Sequence, residues 1–135
     1  MPLPHQTIAE VIDAAELNRG LRGADWLASE GNIPVTFDNG DIALFEDEGQ
    51  DTFEVHFLFV SRGREAIARV REAFRIMFAE HGAKVIFGLV PDFNRKMKLV
   101  ARWAGAKSAG LRPTSEGPCE LYVISNTMFY RDATQ

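Results

Sequence analysis

The stretch that decides the fold is Phe57-Leu-Phe-Val-Ser-Arg-Gly-Arg-Glu-Ala66, in which a strand pattern gives way to a helix pattern. Upstream, from Thr52 onward, apolar and polar side chains largely alternate, as they do in a strand with one buried face. Downstream, apolar side chains recur at helical spacing as far as Phe78, and His81-Gly82 is a glycine stop. The stretch therefore predicts a long strand that feeds a helix through a short Arg-Gly turn.

The turn in this stretch is a candidate anion site. The start of a helix presents unpaired backbone N–H groups and the positive end of the helix dipole, and together these favour a phosphate. Arg62 and Arg64 would add charge-assisted hydrogen bonds. The alternative is a surface turn whose arginines are merely solvated, and the charge pattern by itself favours that alternative.

The periodicity of the rest of the chain predicts further elements on both sides of this turn. Strands are expected at residues 33–37, 42–45, 52–60, 84–89, 106–112 and 119–129. Helices are expected at residues 7–21, 64–81 and 92–104, with a further helical turn at 24–29. Thr7 and Glu10 form a capping pair for the first helix, and a tight turn at 38–41 contains Asn39-Gly40. Residues 113–118 are expected to be a loop between the last two strands.

This order of elements predicts the fold class. A strand–helix–strand unit joined to an antiparallel meander gives an α/β (α+β) fold with a mixed, mostly antiparallel sheet and helices on both faces. Residues 53–60 are expected to form a central strand, with 85–87 running parallel beside it, because the helix between them has the length of a crossover. Residues 1–135 are expected to form one domain.

Composition narrows the class of protein. The chain has 46% hydrophobic and 25% charged residues, which is the profile of an ordinary globular protein, and no apolar run is long enough to cross a bilayer. The absence of a secretory signal and the single cysteine, Cys119, predict a cytoplasmic protein of bacterial or phage origin. A sequence pI of about 5.4 and a net charge of −4 disfavour a nucleic-acid binder.

The element order and two motifs resemble the GNAT N-acetyltransferase superfamily, and this short version is similar to phage-encoded GNAT-like proteins. The first motif is the stretch at 57–66, and the likeness in topology covers residues 33–129. The second motif is Pro91-Asp-Phe-Asn94-Arg-Lys-Met97-Lys-Leu-Val100-Ala101-Arg-Trp-Ala-Gly105-Ala106. Asn94, Met97, Val100 and Gly105 fall where the family pattern places an opening Asn, apolar residues at turn spacing and a glycine stop.

The resemblance implies a binding site for acetyl-CoA as co-substrate. In the family, a splayed strand pairs with the pantetheine arm and the Arg-Gly turn holds the pyrophosphate. Carried onto this sequence, the cofactor-binding residues are expected to be Leu58, Phe59, Val60, Arg62, Gly63, Arg64, Ala66 and Asn94.

Three departures from the family pattern bear on activity. Glu65 stands where the family turn has a glycine, so its carboxylate is expected to hinder a phosphate. The loop before Arg62 is also short. The tyrosine that serves many members as general acid is Ala101 here, and the aromatic expected after the glycine is Ala106. Tyr122 and Tyr130 are candidate replacements that the sequence does not distinguish from packing residues.

The candidate catalytic residues are Glu54 and His56, which share one face of the long strand and can accept a proton from an amine. The alternative is that both are half-exposed positions on a sheet surface. Cys119 is more typical of a buried strand cysteine than of a nucleophile. His5 and His81 are too isolated to indicate metal ligands, so no metal is expected.

The sequence therefore predicts an acyl-CoA-dependent N-acyltransferase that moves an acetyl group from acetyl-CoA to an amine acceptor. The alternative is a non-catalytic GNAT-fold module, either an interaction protein or a virion-associated structural protein, as Glu65 and Ala101 suggest. The expected partners are acetyl-CoA and an amine, without a membrane or nucleic acid. A second copy of the chain and, under the alternative, virion proteins are left open, as is the identity of the acceptor.

Overall fold

A computed structural model describes residues 5–15 and 23–133. The helices are α1 (His5–Ala15), α2 (Gly23–Ala28), α3 (Gly63–Glu80), α4 (Arg95–Trp103) and α5 (Asn126–Ala133). The strands are β1 (Ile33–Thr36), β2 (Ile42–Asp47), β3 (Thr52–Leu58), β4 (Val85–Pro91), β5 (Lys107–Thr114) and β6 (Gly117–Ser125). Within the described residues, no helix is both long and apolar enough to cross a membrane.

The six strands form one sheet in the order β1-β2-β3-β4-β6-β5. The β3–β4 pair is parallel and every other neighbouring pair is antiparallel. The parallel pair is joined through α3, which confirms the predicted crossover and the central place of the long strand. The predicted mixed, mostly antiparallel sheet is confirmed as well.

The alternation along β3 divides the molecule into two hydrophobic clusters, one on each face of the sheet. Phe53 and Val55 face a large core that α3 and α4 cover. Leu58 faces a smaller core with α1 and α2, in which the buried side chains include Ile12 and Trp26. Strand periodicity of two is what sends neighbouring residues to opposite faces.

Several predicted boundaries are wrong. Residues 126–129 belong to α5 and not to the last strand, since the Ser125 hydroxyl accepts a hydrogen bond from the Met128 backbone N–H (3.1 Å) and starts a helix there. The expected loop at 113–118 is mostly strand, because β5 and β6 pair as far as Thr114 and Gly117. Helix α1 begins at His5, so Thr7 lies inside it. The predicted part of that helix at 16–21 lies outside the described residues.

Asp41 ties the β1–β2 turn to the end of β3. Its side chain is fully buried. One carboxylate oxygen accepts hydrogen bonds from the backbone N–H groups of Val60 (2.7 Å) and Ser61 (3.0 Å). The other accepts from the Ser61 hydroxyl and from the Asn39 amide (2.9 Å). Burial alone would raise the pKa of Asp41, but the hydrogen bonds from Ser61, Asn39 and the backbone outweigh it, and the pKa is lowered.

Replacing Asp41 with Asn tests this tie. The lowered pKa means that the ionised carboxylate stabilises the fold above the ordinary aspartate pKa, and that this stability is lost as the pH falls toward the folded-state pKa. We expect Asp41→Asn to reduce the free energy of unfolding by about 1–3 kcal/mol at pH 7 and by less at pH 4. Urea unfolding at both pH values measures this, with Glu116→Gln, an exposed turn carboxylate, as control. An equal loss at both pH values would contradict the role of the charge.

Candidate active site

The most unusual feature of the sheet is that β3 and β4 pair over only three residues. Thr52, Phe53 and Glu54 face residues 85–87, and the register stops there. Beyond this point β3 continues to pair with β2 as far as Leu58, while β4 continues to pair with β6 as far as Pro91. The two strands therefore separate, and each leaves one row of backbone hydrogen-bonding groups without a strand partner among residues 5–15 and 23–133.

The separated strands open into a cavity and an adjoining groove. The cavity measures about 260 Å³ and is mostly apolar, with Val55 and Phe57 on one side and Gly88 to Pro91 on the other. The groove measures about 1000 Å³ and lies between the start of α3 and the outer side of α4. Phe57, Asn94 and Met97 line both, so the two spaces adjoin.

The start of α3 heads the groove. Arg62, the residue before the helix, is extended (φ −139°, ψ 163°), and its side chain does not cap the helix. Gly63 has φ +59°, a conformation that a residue with a side chain adopts only with strain. The first N–H groups of α3 are thus left for solvent or a ligand, with Arg62 and Arg64 exposed beside them.

Glu65 does not point freely into this space. Its carboxylate accepts a hydrogen bond from the Asn39 amide (3.3 Å) in the β1–β2 turn and lies 3.8 Å from the Arg69 guanidinium one helical turn on. The expected hindrance is reduced, because both contacts hold the carboxylate toward the turn and partly neutralise it.

Helix α4 forms the other wall of the groove and is fixed at both ends. At its start, the Asn94 side-chain oxygen caps the helix by accepting from the Met97 N–H (3.1 Å). At its end, the Arg71 guanidinium of α3 donates to the Ala104 carbonyl (2.9 Å). Between them, the Lys98 ammonium lies 3.0 Å from the Glu120 carboxylate on β6. The Ser108 hydroxyl and Lys98 lower the pKa of Glu120 to about 2.

Glu54 and His56 lie on the opposite face of β3, toward α1 and α2. The side chain of Glu54 is only 6% exposed and that of His56 is 25% exposed, so the interpretation of both as half-exposed fails for Glu54. The Glu54 carboxylate and the His56 Nε2 are 4.0 Å apart. His56 also borders the cavity between the strands, which brings this pair to the place where the two faces of the sheet meet.

Tyr122 lies deep in the same cavity. It projects from β6, opposite Gly88 of β4, and is 3% exposed. Its hydroxyl has no hydrogen-bond partner of ordinary geometry among the described residues. Burial, and then the nearby Glu120 carboxylate, raise the pKa of Tyr122 and keep it protonated. Ala101, where the resemblance expects a tyrosine, borders the same space, so the small side chain on α4 leaves room beside Tyr122.

The remaining predicted cofactor residues divide between the groove and its surroundings. Phe59, Gly63 and Ala66 line the groove with the arginines and Asn94. The Leu58 side chain instead packs toward α1 and α2, and Val60 is 67% exposed while its N–H is used by Asp41. Sequence reasoning missed the groove contact of Trp103 and did not single out Asp41, although the Asn39-Gly40 turn signal lies beside it.

Comparison with known proteins supports the fold through structures alone. No family model matches the chain, and no curated protein matches its sequence. Aminoglycoside acetyltransferase AAC(6')-Ib in complex with coenzyme A and kanamycin superposes with a TM-score of 0.69 at 16% identity, over 96% of this chain and 93% of that one. A spermidine N-acetyltransferase SpeG chimera from Vibrio cholerae and hSSAT gives 0.65 at 11% identity, over 93% and 82%.

A third similar structure is the ribosomal-protein-S5-alanine acetyltransferase from Vibrio fischeri. Its TM-score is 0.55 at 13% identity, over 64% of this chain and 54% of that one. The three proteins are N-acetyltransferases with different acceptors. The described chain therefore has the GNAT fold, as the resemblance implied.

The unpartnered hydroxyl of Tyr122 allows a direct test of the cavity. A buried hydroxyl without a hydrogen bond costs about 1–3 kcal/mol, so we expect Tyr122→Phe to raise the free energy of unfolding by about 1 kcal/mol. Guanidinium unfolding measures the change. Tyr130→Phe, at a residue that is 44% exposed, is the control and should stay within about 0.5 kcal/mol of the parent. A loss of stability in Tyr122→Phe would show that the fold itself uses the hydroxyl.

Proposed function

We propose that the chain transfers an acetyl group from acetyl-CoA to an amine. The observation that carries this proposal is the separation of β3 and β4, which opens into a groove headed by the uncapped start of α3. A long ligand with amides at one end and phosphates at the other matches the unpaired strand edge and the helix start in that order.

The residues fit each part of acetyl-CoA. The free edge of β3 between Val55 and Leu58 would pair with the amides of the pantetheine arm, as an added strand does. The N–H groups at the start of α3, with Arg62 and Arg64, would hold the pyrophosphate. The oxygen of Asn94 is used by the helix cap, so its amide NH₂ is the group that it would offer to the ligand. Trp103, 71% exposed, would cover an apolar or ring portion of the cofactor.

Glu54 and His56 supply the base that the reaction requires. An amine is protonated at neutral pH, and it must lose a proton before its nitrogen can attack the thioester carbonyl. His56 borders the cavity from the face opposite the groove, and the buried Glu54 carboxylate beside it would orient the imidazole and stabilise its protonated form. Removal of the proton directly or through water then allows the C–N bond to form.

Tyr122 would serve the departing thiolate. As the C–S bond breaks, the sulfur takes the electron pair and needs a proton, which a protonated hydroxyl inside the cavity can donate. A raised pKa keeps this group protonated at the pH of the reaction. Most of the rate enhancement would still come from holding amine and thioester together in a water-poor cleft.

The structural neighbours include proteins that act on an aminoglycoside, on spermidine and on an alanine of ribosomal protein S5. For this chain we propose only what these proteins share, which is an amine acceptor. We propose the cytoplasm as the place of the reaction, with acetyl-CoA as the co-substrate. The rival function is a non-catalytic module with the same fold, for which Ala101 in place of the family tyrosine is the specific observation. A phage or virion context would suit the rival.

The pyrophosphate assignment predicts the effect of two arginine substitutions. Arg62→Ala and Arg64→Ala remove exposed side chains at the start of α3, and each should weaken CoA binding by about 1.5–3 kcal/mol where a charge-assisted contact is lost. Isothermal titration calorimetry with CoA measures this. Arg75→Ala, near the other end of the same helix, is the matched control and should bind CoA like the parent.

Pantetheine lacks the pyrophosphate. Its binding therefore distinguishes loss of the contact between the arginines and the pyrophosphate from loss of the whole binding site. We expect the double variant to bind pantetheine as the parent does. Equal CoA affinity in the double variant and the parent would contradict the assignment, and no CoA affinity in the parent would favour the non-catalytic function.

The roles proposed for Glu54 with His56 and for Tyr122 predict separate effects on turnover. Glu54→Gln combined with His56→Phe should lower acetyl transfer on the order of a hundredfold or more while CoA still binds, because neither side chain lies in the groove. Tyr122→Phe should also lose turnover, although its fold is at least as stable. A thiol-release assay over a panel of amines measures both. If the parent binds acetyl-CoA and releases thiol no faster than buffer, the chain is a binding module.

A further inference from the structure

We propose that Glu46, Glu54 and His56 form a binding site for a first-row divalent metal ion. Each residue offers one ligand atom, and the three atoms lie within 4.8 Å of one another. Metal–ligand bonds of about 2.0–2.2 Å place neighbouring ligand atoms about 3 Å apart, so the three atoms must approach one another by up to about 2 Å when an ion binds. The proposal does not depend on acetyl transfer: an ion bound here would occupy the two groups proposed as the base, so the metal-bound chain and the chain that accepts a proton from an amine would be separate states.

The register of the sheet builds this cluster. Glu46 of β2 and Glu54 of β3 are directly opposite each other in the antiparallel pair, and His56 is two residues further along β3 on the same face. Like charges at opposite positions of neighbouring strands destabilise a sheet unless a cation or a proton lies between them. The strands themselves hold the three side chains, so their spacing does not depend on a loop.

Glu54 is the observation that points to a ligand. Its side chain is 94% buried, and its one ion-pair partner among the described residues is His56 at 4.0 Å, beyond hydrogen-bond distance. Neither Glu46 nor Glu54 forms an ion pair with a lysine or arginine of the described residues. A buried carboxylate needs a counter-charge, and the ligand atoms of Glu46 and His56 lie within 4.8 Å of that of Glu54, so an ion held among the three would supply it.

The surroundings also suit a metal. The Trp26 indole N–H donates to one oxygen of Glu46 (3.3 Å), which orients that carboxylate and leaves its second oxygen for an ion. Two carboxylates and an imidazole favour Mn²⁺, Fe²⁺, Co²⁺ or Zn²⁺ over Mg²⁺ and Ca²⁺, which prefer oxygen ligands only. His56 borders the cavity between the strands, so an ion held there would keep an open position toward it.

Calorimetric titration of the chelator-treated chain with zinc chloride tests the site. We expect one Zn²⁺ per chain, a midpoint of thermal unfolding that rises with Zn²⁺ concentration, and no comparable effect of Mg²⁺. Glu54→Gln and His56→Ala should each weaken Zn²⁺ binding at least tenfold. His81→Ala and Glu72→Gln, an exposed histidine and a carboxylate of α3, are the matched controls and should bind as the parent does.

A readout that needs no variant keeps the proposal testable if Glu54→Gln fails to fold. In the parent, the imidazole signals of His56 should shift or broaden on addition of Zn²⁺ or Mn²⁺, while those of His81 should not. The proposal is overturned if Zn²⁺ binds no more tightly than millimolar, or if binding is lost in His81→Ala and retained in His56→Ala.

Discussion

The three-residue limit on pairing between β3 and β4 is the constraint on which the rest of the site depends. Each strand is held by its outer neighbour, β3 by β2 and β4 by β6, and each continues along that neighbour after the shared register ends at Glu54 and Phe87. Side chains of the large core, including Met97 and Ala101, line the widening gap from the α3 and α4 side. The cleft is therefore a consequence of how the strands of the whole sheet pair.

Asp41 fixes the direction in which the chain leaves β3. Because its carboxylate binds the N–H groups of Val60 and Ser61, the chain leaves β3 in one direction and enters α3 with its first turn directed at the groove. A fully buried charge is tolerated there since four hydrogen bonds satisfy it. The same turn region supplies Asn39, which holds Glu65 away from the helix start. One small polar cluster thus shapes the candidate phosphate site.

Much of the fold could be predicted from local pattern, while the chemistry of the site depended on tertiary contacts. The change of period at Ser61-Arg62-Gly63 predicted the crossover and the parallel pair, because periodicity reports which face is buried. The last strand was predicted to extend to Phe129 because Met128 and Phe129 continue its apolar residues, but the Ser125 cap starts α5 there. The burial of Glu54 and the orphan hydroxyl of Tyr122 arise from neighbours distant in sequence, which no spacing reveals.

The most direct test of the central claim is a ¹⁵N-resolved NMR titration of the chain with CoA. If the separated strands and the start of α3 form the cofactor site, the amide signals from Val55 to Leu58 and from Gly63 to Ala66 should move together and saturate at one CoA per chain. Signals from β5, at the far edge of the sheet, should stay in place. An absence of shifts at millimolar CoA, or shifts confined to residues outside the cleft and the first turn of α3, would contradict the account.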